Sequence, residues 1–113
     1  MKLLLDENLP KRLKSDFPEF IVSTVSDLGW NGKSNGELLK LMLENKFDAL
    51  LTFDKNLQYQ QNLSNYPIPV LVLNAHDNTY LTLKPLVIKI KFLKVSLLKR
   101  ALINNIFALQ IKY

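Results

Sequence analysis

Met1-Lys-Leu-Leu-Leu-Asp-Glu-Asn-Leu-Pro10 opens the chain with an apolar run that stops abruptly at two adjacent carboxylates. A second stretch, Asp48-Ala-Leu-Leu-Thr-Phe-Asp54, stops the same way. Short, continuous apolar runs such as residues 2–5 and 49–53 fit strands buried on both faces, as in a parallel sheet. Parallel strands all point in one direction, so Asp6 and Asp54 belong on the same edge. The recurrence of a buried run delivering a carboxylate decides the fold reading.

Working outward, Asn8-Leu9-Pro10 reads as a helix start: Asn8 can cap, Pro10 tolerates an early helical position, and Leu9, Leu13 and Phe17 recur at helical spacing. Residues 20–25, rich in β-branched side chains after Pro18, predict a second strand. Gly29-Trp-Asn-Gly-Lys-Ser-Asn-Gly36 contains all three glycines and predicts a loop, with Ser34 or Asn35 capping a helix over residues 37–45. A short helix is expected over 56–63 and a fourth strand over 69–73. A long helix is expected over 82–103, with Pro85 in its first turn and Leu83, Leu86, Val87, Ile90, Leu93, Leu97 and Ala101 facing the core. Within it, Ile88-Lys-Ile-Lys-Phe92 alternates like a strand. Residues 107–113 form an edge strand or a loose tail. The order β-α-β-α-β-α-β predicts an α/β fold, a three-layer α/β/α sandwich around a mainly parallel sheet of four to five strands.

At 113 residues and 48% hydrophobic, the chain has material for one domain spanning 1–113 with a real core. No apolar stretch reaches the roughly 18 residues that a membrane span needs, and no signal-like N-terminal segment is present, so a cytoplasmic protein is expected. Zero cysteines exclude disulfides, thiolate metal sites and cysteine nucleophiles, and the lone His76 cannot make a multi-histidine site. Any metal must be held mainly by oxygen. All ten acids lie between Asp6 and Asp77, and residues 1–77 carry eight Lys/Arg, for a balance of −2. Residues 78–113 contain no acid and carry Lys84, Lys89, Lys91, Lys94, Lys99, Arg100 and Lys112, a charge of +7. Such a split suggests an acidic site beside a phosphate-attracting surface, although a basic helix is also commonly a solvated face or a site for an acidic protein.

Ligands of open parallel sheets bind beyond the carboxyl ends of the strands, near the point where strand order reverses. Neighbouring strands lie about 4.8 Å apart, close enough for Asp6 and Asp54 to share one cation. Glu37 starts a helix that returns toward the same edge, and Asn74 and Asp77 follow the fourth strand and can reach it. Clustered carboxylates repel unless something positive compensates them. Oxygen-only donors suit Mg²⁺ or Mn²⁺, which can activate water and neutralise a phosphodiester.

These residues resemble the compact PIN-like domains found in toxin–antitoxin pairs. The resemblance rests on Lys2-Leu-Leu-Leu-Asp-Glu-Asn-Leu-Pro10, Val25-Ser-Asp-Leu-Gly29, Ser34-Asn-Gly-Glu-Leu-Leu39 and Leu51-Thr-Phe-Asp-Lys55, in order over about the first 75 residues. It implies a three-layer fold and, for active members, metal-dependent cleavage of RNA, with Asp6, Glu37 and Asp54 as metal-binding catalytic acids. Where similar chains tend to carry Ser-Asp-Glu-Glu, this one has Ser34-Asn35-Gly36-Glu37, losing two acids and keeping the last. Asn74 stands where a further polar or acidic ligand is expected.

The expected function is therefore an Mg²⁺- or Mn²⁺-dependent endoribonuclease, the toxin of a pair. Its expected partners are RNA, contacted by Lys84, Lys91, Lys94, Lys99 and Arg100, and a cognate antitoxin, with a homodimer left open. Plainer roles stand beside each assignment. Asp6 and Asp54 can cap following helices, Glu37 can complement a helix dipole, and Trp30, Tyr59 and Tyr66 can close a core rather than stack on bases. Glu7 and His76 read as loop or solvent-facing residues. One alternative is a PIN-like module that binds RNA or protein without chemistry. Another is a receiver-like phosphoacceptor, mimicked by Asp6-Glu7 and Asp54, but Val72-Leu-Asn-Ala75 lacks the hydroxyl that receivers carry after the fourth strand.

Overall fold

Leu3, Leu4 and Leu5 are all buried, and their alternation sets the architecture: Leu3 and Leu5 pack into one core, Leu4 into another. The computed structural model describes residues 1–54, 65–104 and 107–113. Among them are the strands β1 (Lys2–Leu5), β2 (Ile21–Thr24), β3 (Ala49–Thr52), β4 (Val70–Asn74) and β5 (Ala108–Lys112). They form one sheet in the order β2-β1-β3-β4-β5, every neighbouring pair parallel.

A 3₁₀ helix over Lys11–Asp16 and the helix α2 (Tyr80–Lys91) cover one face, where Leu13, Leu83, Leu86 and Ile90 pack with Leu3, Leu5, Leu51 and Leu71. The helix α1 (Asn35–Glu44) covers the other, laying Leu38, Leu39 and Met42 on Leu4, Leu50, Val70 and Val72. Each such leucine, taken out of water completely, contributes about 2 kcal/mol. The chain is α/β with helices on both faces of a parallel sheet, an arrangement compatible with a three-layer sandwich. No helix among the described residues is long and apolar enough to cross a membrane.

Several expectations are corrected. The helix expected from Asn8 is only the 3₁₀ segment, preceded by Pro10 with no side-chain cap, because the Asn8 side chain is occupied elsewhere. The single long helix is two: α2 ends at Lys91, and α3 spans Val95–Ile103 after a break at Phe92–Lys94. The break shifts the buried phase. Continuing the stripe of Leu83, Leu86 and Ile90 would bury Leu97, yet Leu98 is buried at 2% exposure and Leu97 is 46% exposed. Val95, Leu98 and Leu102 line a cavity of about 110 Å³ with Phe47, Pro67 and Pro69. Pro85 sits in the second turn of α2 rather than the first, where it withholds an N–H from the Leu81 carbonyl. Residues 107–113 hold the edge strand β5. The helix expected over 56–63, and Tyr59 with it, lies outside the described residues.

The loop before α1 turns at Gly29 and Gly32, whose φ angles of 71° and 77° are disfavoured for residues bearing a Cβ. It carries Trp30 onto Phe47, with ring centroids 6.0 Å apart, and Trp30 and Tyr66 both pack against the second core. These two aromatics close a core.

Candidate functional site

The strand order changes direction at β1: β2 lies on one side of it and β3 on the other, so the crevice between β1 and β3 is the topological switch point. Asp6 follows β1 directly and Asp54 follows β3 by two residues. Leu5 pairs with Leu51, and the ladder runs one bond further, from Asp6 N–H to the Leu51 carbonyl at 2.9 Å. That register sets Asp6 beside Thr52. The Thr52 hydroxyl, on a residue with no exposure, donates to Asp6 Oδ2 at 2.7 Å.

The polarity of this network is forced. The Phe53 N–H donates to Asn8 Oδ1 at 3.2 Å, which turns the Asn8 amide nitrogen toward Thr52 Oγ1, 3.5 Å away. The Asp54 N–H also donates to Thr52 Oγ1, at 3.1 Å. With two donors directed at it, the hydroxyl has one proton to give, and Asp6 receives it. The Glu7 N–H donates to Asp6 Oδ1 at 2.8 Å, so both Asp6 oxygens are held. Asn78, in the loop after β4, donates to the Asn8 carbonyl at 2.9 Å and ties that loop to the same edge.

Burial pushes the Asp6 carboxyl above its ordinary value. The Thr52 and Glu7 hydrogen bonds oppose this shift, while the charges of Glu7 and Asp54 reinforce it. The structure thus joins Asp6 and Asp54 through one hydroxyl, which donates to the Asp6 carboxylate and accepts from the Asp54 N–H. It places the other expected acids differently. Glu37 accepts from the Ser34 hydroxyl at 3.0 Å while its own N–H donates back to Ser34 Oγ at 3.3 Å, a reciprocal cap on α1. Asp77 accepts from both the hydroxyl and the N–H of Thr79, which with His76 hold its carboxyl down at about 2. Asn74 donates to Gln110 on β5 at 3.1 Å. Glu7 accepts from Asn31. Among the described residues, no group of three or more His, Cys, Asp or Glu side chains is gathered to hold a metal ion.

Two carboxylates still fit a hard cation. Mg²⁺ keeps several waters and is commonly held by one or two carboxylates together with substrate phosphates. Each Asp6 oxygen retains a lone pair beyond the hydrogen bond it accepts.

The α3 cations lie away from this edge. Lys84 is exposed in the second turn of α2, Lys91 is its last residue, and Lys94 precedes α3, which carries Lys99 and Arg100. Lys99 lies with Phe47, Asp48 and Pro69, residues that lead into β3 and β4. The acidic pair and α3 therefore occupy opposite ends of the strands.

Sequence reasoning missed Thr52, Asn8 and Asn78. Thr52 carried a usable signal, since a hydroxyl inside a run read as fully buried must find a partner. Comparison of the chain with protein-family models, with curated proteins and with solved structures gave no match.

Proposed function

We propose that this chain is a metal-dependent endoribonuclease of the PIN-like kind, a cytoplasmic toxin paired with an antitoxin, in which Asp6 and Asp54 hold Mg²⁺ or Mn²⁺. The observation supporting it best is the juxtaposition of these two carboxylates at the switch point of a parallel sheet, one of them clamped by Thr52 and Glu7. The resemblance of residues 2–10 and 51–55 to PIN-like domains supplies the reaction class and the antitoxin. When bound, the ion supplies a nucleophilic water and neutralises charge on the phosphodiester. The protein's own part is positional. Thr52 fixes the Asp6 rotamer from a buried strand, Asn8 fixes Thr52, and Asn78 holds the β4 loop beside them, so the carboxylates meet the substrate without reorganising. The cleavage reading uses this pair and not the α3 cations.

A second reading is favoured by Glu37. With its carboxylate closed onto Ser34 and Asn35-Gly36 uncharged, a third acid is missing from the pair, and a module that binds RNA without cutting follows naturally.

The test is cleavage of single-stranded RNA with Mg²⁺ or Mn²⁺, comparing wild type with Asp54→Asn. Loss of cutting in a folded variant, together with abolition by chelator, supports the nuclease. Cutting that survives either treatment overturns it. RNA binding without cutting under any divalent ion selects the second reading.

A further inference from the structure

The helix α2 carries two apolar seams, and among the described residues only one of them is covered. Leu83, Leu86, Val87 and Ile90 are buried in the core. On the outer side Leu81 and Ile88, with Phe92 in helical conformation at the C-cap just beyond, are 75%, 61% and 77% exposed, and Pro85 is also exposed between them. Positions 81, 85, 88 and 92 follow the four-three-four spacing by which one helix presents a seam to another. Leu81, Pro85 and Ile88 line a groove of about 360 Å³ together with Lys84, Lys91 and Asp16.

The flanks of this seam say what fits it. Lys84 and Lys91 are seven residues apart, so they stand on one flank, separated by about 10 Å along the axis. Lys89 lies on the other flank, and residues 78–113 contain no acid. At the groove's edge the Asp16 Oδ1 accepts from the Tyr80 hydroxyl at 3.0 Å, which fixes the acid at the groove's inner wall.

We propose that the outer seam of α2 binds an acidic amphipathic helix of a partner protein. The partner's apolar residues lie against Leu81, Pro85, Ile88 and Phe92, and its Glu or Asp residues face Lys84 and Lys91. A second copy of this chain fits poorly, since pairing two such seams sets lysine against lysine. RNA fits poorly as well, since an aliphatic seam gives bases no stacking platform beyond Phe92. Neither Asp6 nor Asp54 enters this surface, so loss of partner binding and loss of cleavage are separable.

The experiment uses two synthetic three-heptad peptides with leucine at the a and d positions, one bearing Glu and the other Lys at e and g, titrated by fluorescence anisotropy. The Glu peptide is expected to bind at least about tenfold more tightly than the Lys peptide. Ile88→Asp should remove that binding while circular dichroism stays unchanged, and Lys84→Glu combined with Lys91→Glu should reverse the preference toward the Lys peptide. Equal binding of the two peptides, or Glu-peptide binding indifferent to Ile88→Asp, overturns the proposal. So does a dimer seen by sedimentation and abolished by Ile88→Asp, which would give the seam to a second copy. Binding of a single-stranded RNA 15-mer that is lost in Ile88→Asp and competes with the Glu peptide would give it to RNA and overturn the proposal equally.

Discussion

The Thr52 hydroxyl gives its only proton to Asp6, joining the end of β3 to the residue after β1 at 2.7 Å. Because Asn8 and the Asp54 N–H both donate to the same oxygen, the hydroxyl cannot turn elsewhere. Asp6 is an obligate double acceptor, with Thr52 on one oxygen and the Glu7 N–H on the other. Asn in its place would turn an amide nitrogen toward one of these donors, which makes Asp54 the better position for a charge-removing substitution.

Thr52→Val keeps the shape of the side chain and deletes the centre of this network. Two N–H donors and a carboxylate oxygen lose their partner, and the fold should be destabilised by about 1–3 kcal/mol. Thr52→Ser retains the hydroxyl and loses a methyl group, for a cost of about 1 kcal/mol. Urea unfolding of the two variants measures the difference. A valine variant no weaker than the serine one would deny the hydroxyl its structural role.

Asp54→Asn removes one of the charges that hold the Asp6 carboxyl up, so Asp6 should titrate at lower pH in this variant. Added Mg²⁺ should lower it in the wild type for the same reason. Carboxyl-carbon NMR reads both shifts directly. An Asp6 midpoint that ignores both Asp54→Asn and Mg²⁺ would show that the two carboxylates do not share a site.

The acid side of the stability curve should contain opposing contributions. Asp27 is held down to about 2 by hydrogen bonds from Lys11, Thr24 and Lys14, with Asp77 held near the same value by Thr79. Their folded values lie below 3.8, so the stability they contribute is complete above that pH and is lost as pH falls toward 2. Asp6 runs the other way: its folded value is raised, its ionisation opposes folding, and acidification through that value recovers the lost stability. In Asp27→Asn, the decline between about pH 4 and 2 should therefore be shallower than in wild type, as thermal melts across that range can show. An unchanged decline would remove Asp27 from this account.

Lys46 follows the cap of α1 at a φ of 59°, the left-handed region that L side chains enter at a cost. Lys46→Gly should stabilise the protein by about 0.5–1 kcal/mol. Chemical denaturation reads the gain, and a loss in its place would mean that the exposed lysine side chain makes a contact worth more than the strain.

The parallel sheet was legible because residues 3–5 and 49–51 are unbroken apolar runs followed by polar residues, and the start of α1 was legible because a glycine-rich loop gives way, after the capping types Ser34 and Asn35, to apolar residues of helical character. The break between α2 and α3 was not. Phe92-Leu-Lys94 contains no glycine or proline, and both Leu97 and Leu98 are apolar, so periodicity alone cannot say which of them faces inward. The placing of Asp6 and Asp54 on one edge came from a repeated pattern within each strand. The Thr52 contact depends on the register between β1 and β3, a pairing across more than forty residues that no local pattern encodes. Asn8 misled for a related reason: a residue suited to capping was taken up by the Phe53 N–H of a neighbouring strand.

Because β5 pairs in parallel with β4, one partner of a largely buried strand is made after every other strand of this sheet. Ala108, Leu109 and Ile111 of β5 pack against the cores that hold Val70, Leu71, Val72 and Leu73. During synthesis, β4 waits with a bare row of amides and carbonyls along one side, and closing it requires a non-local pairing of the kind that forms slowly. A nascent chain halted in α3 therefore presents an apolar open edge, the template on which strands from other chains assemble. Premature termination before Ala108 should yield aggregates rather than a smaller folded protein.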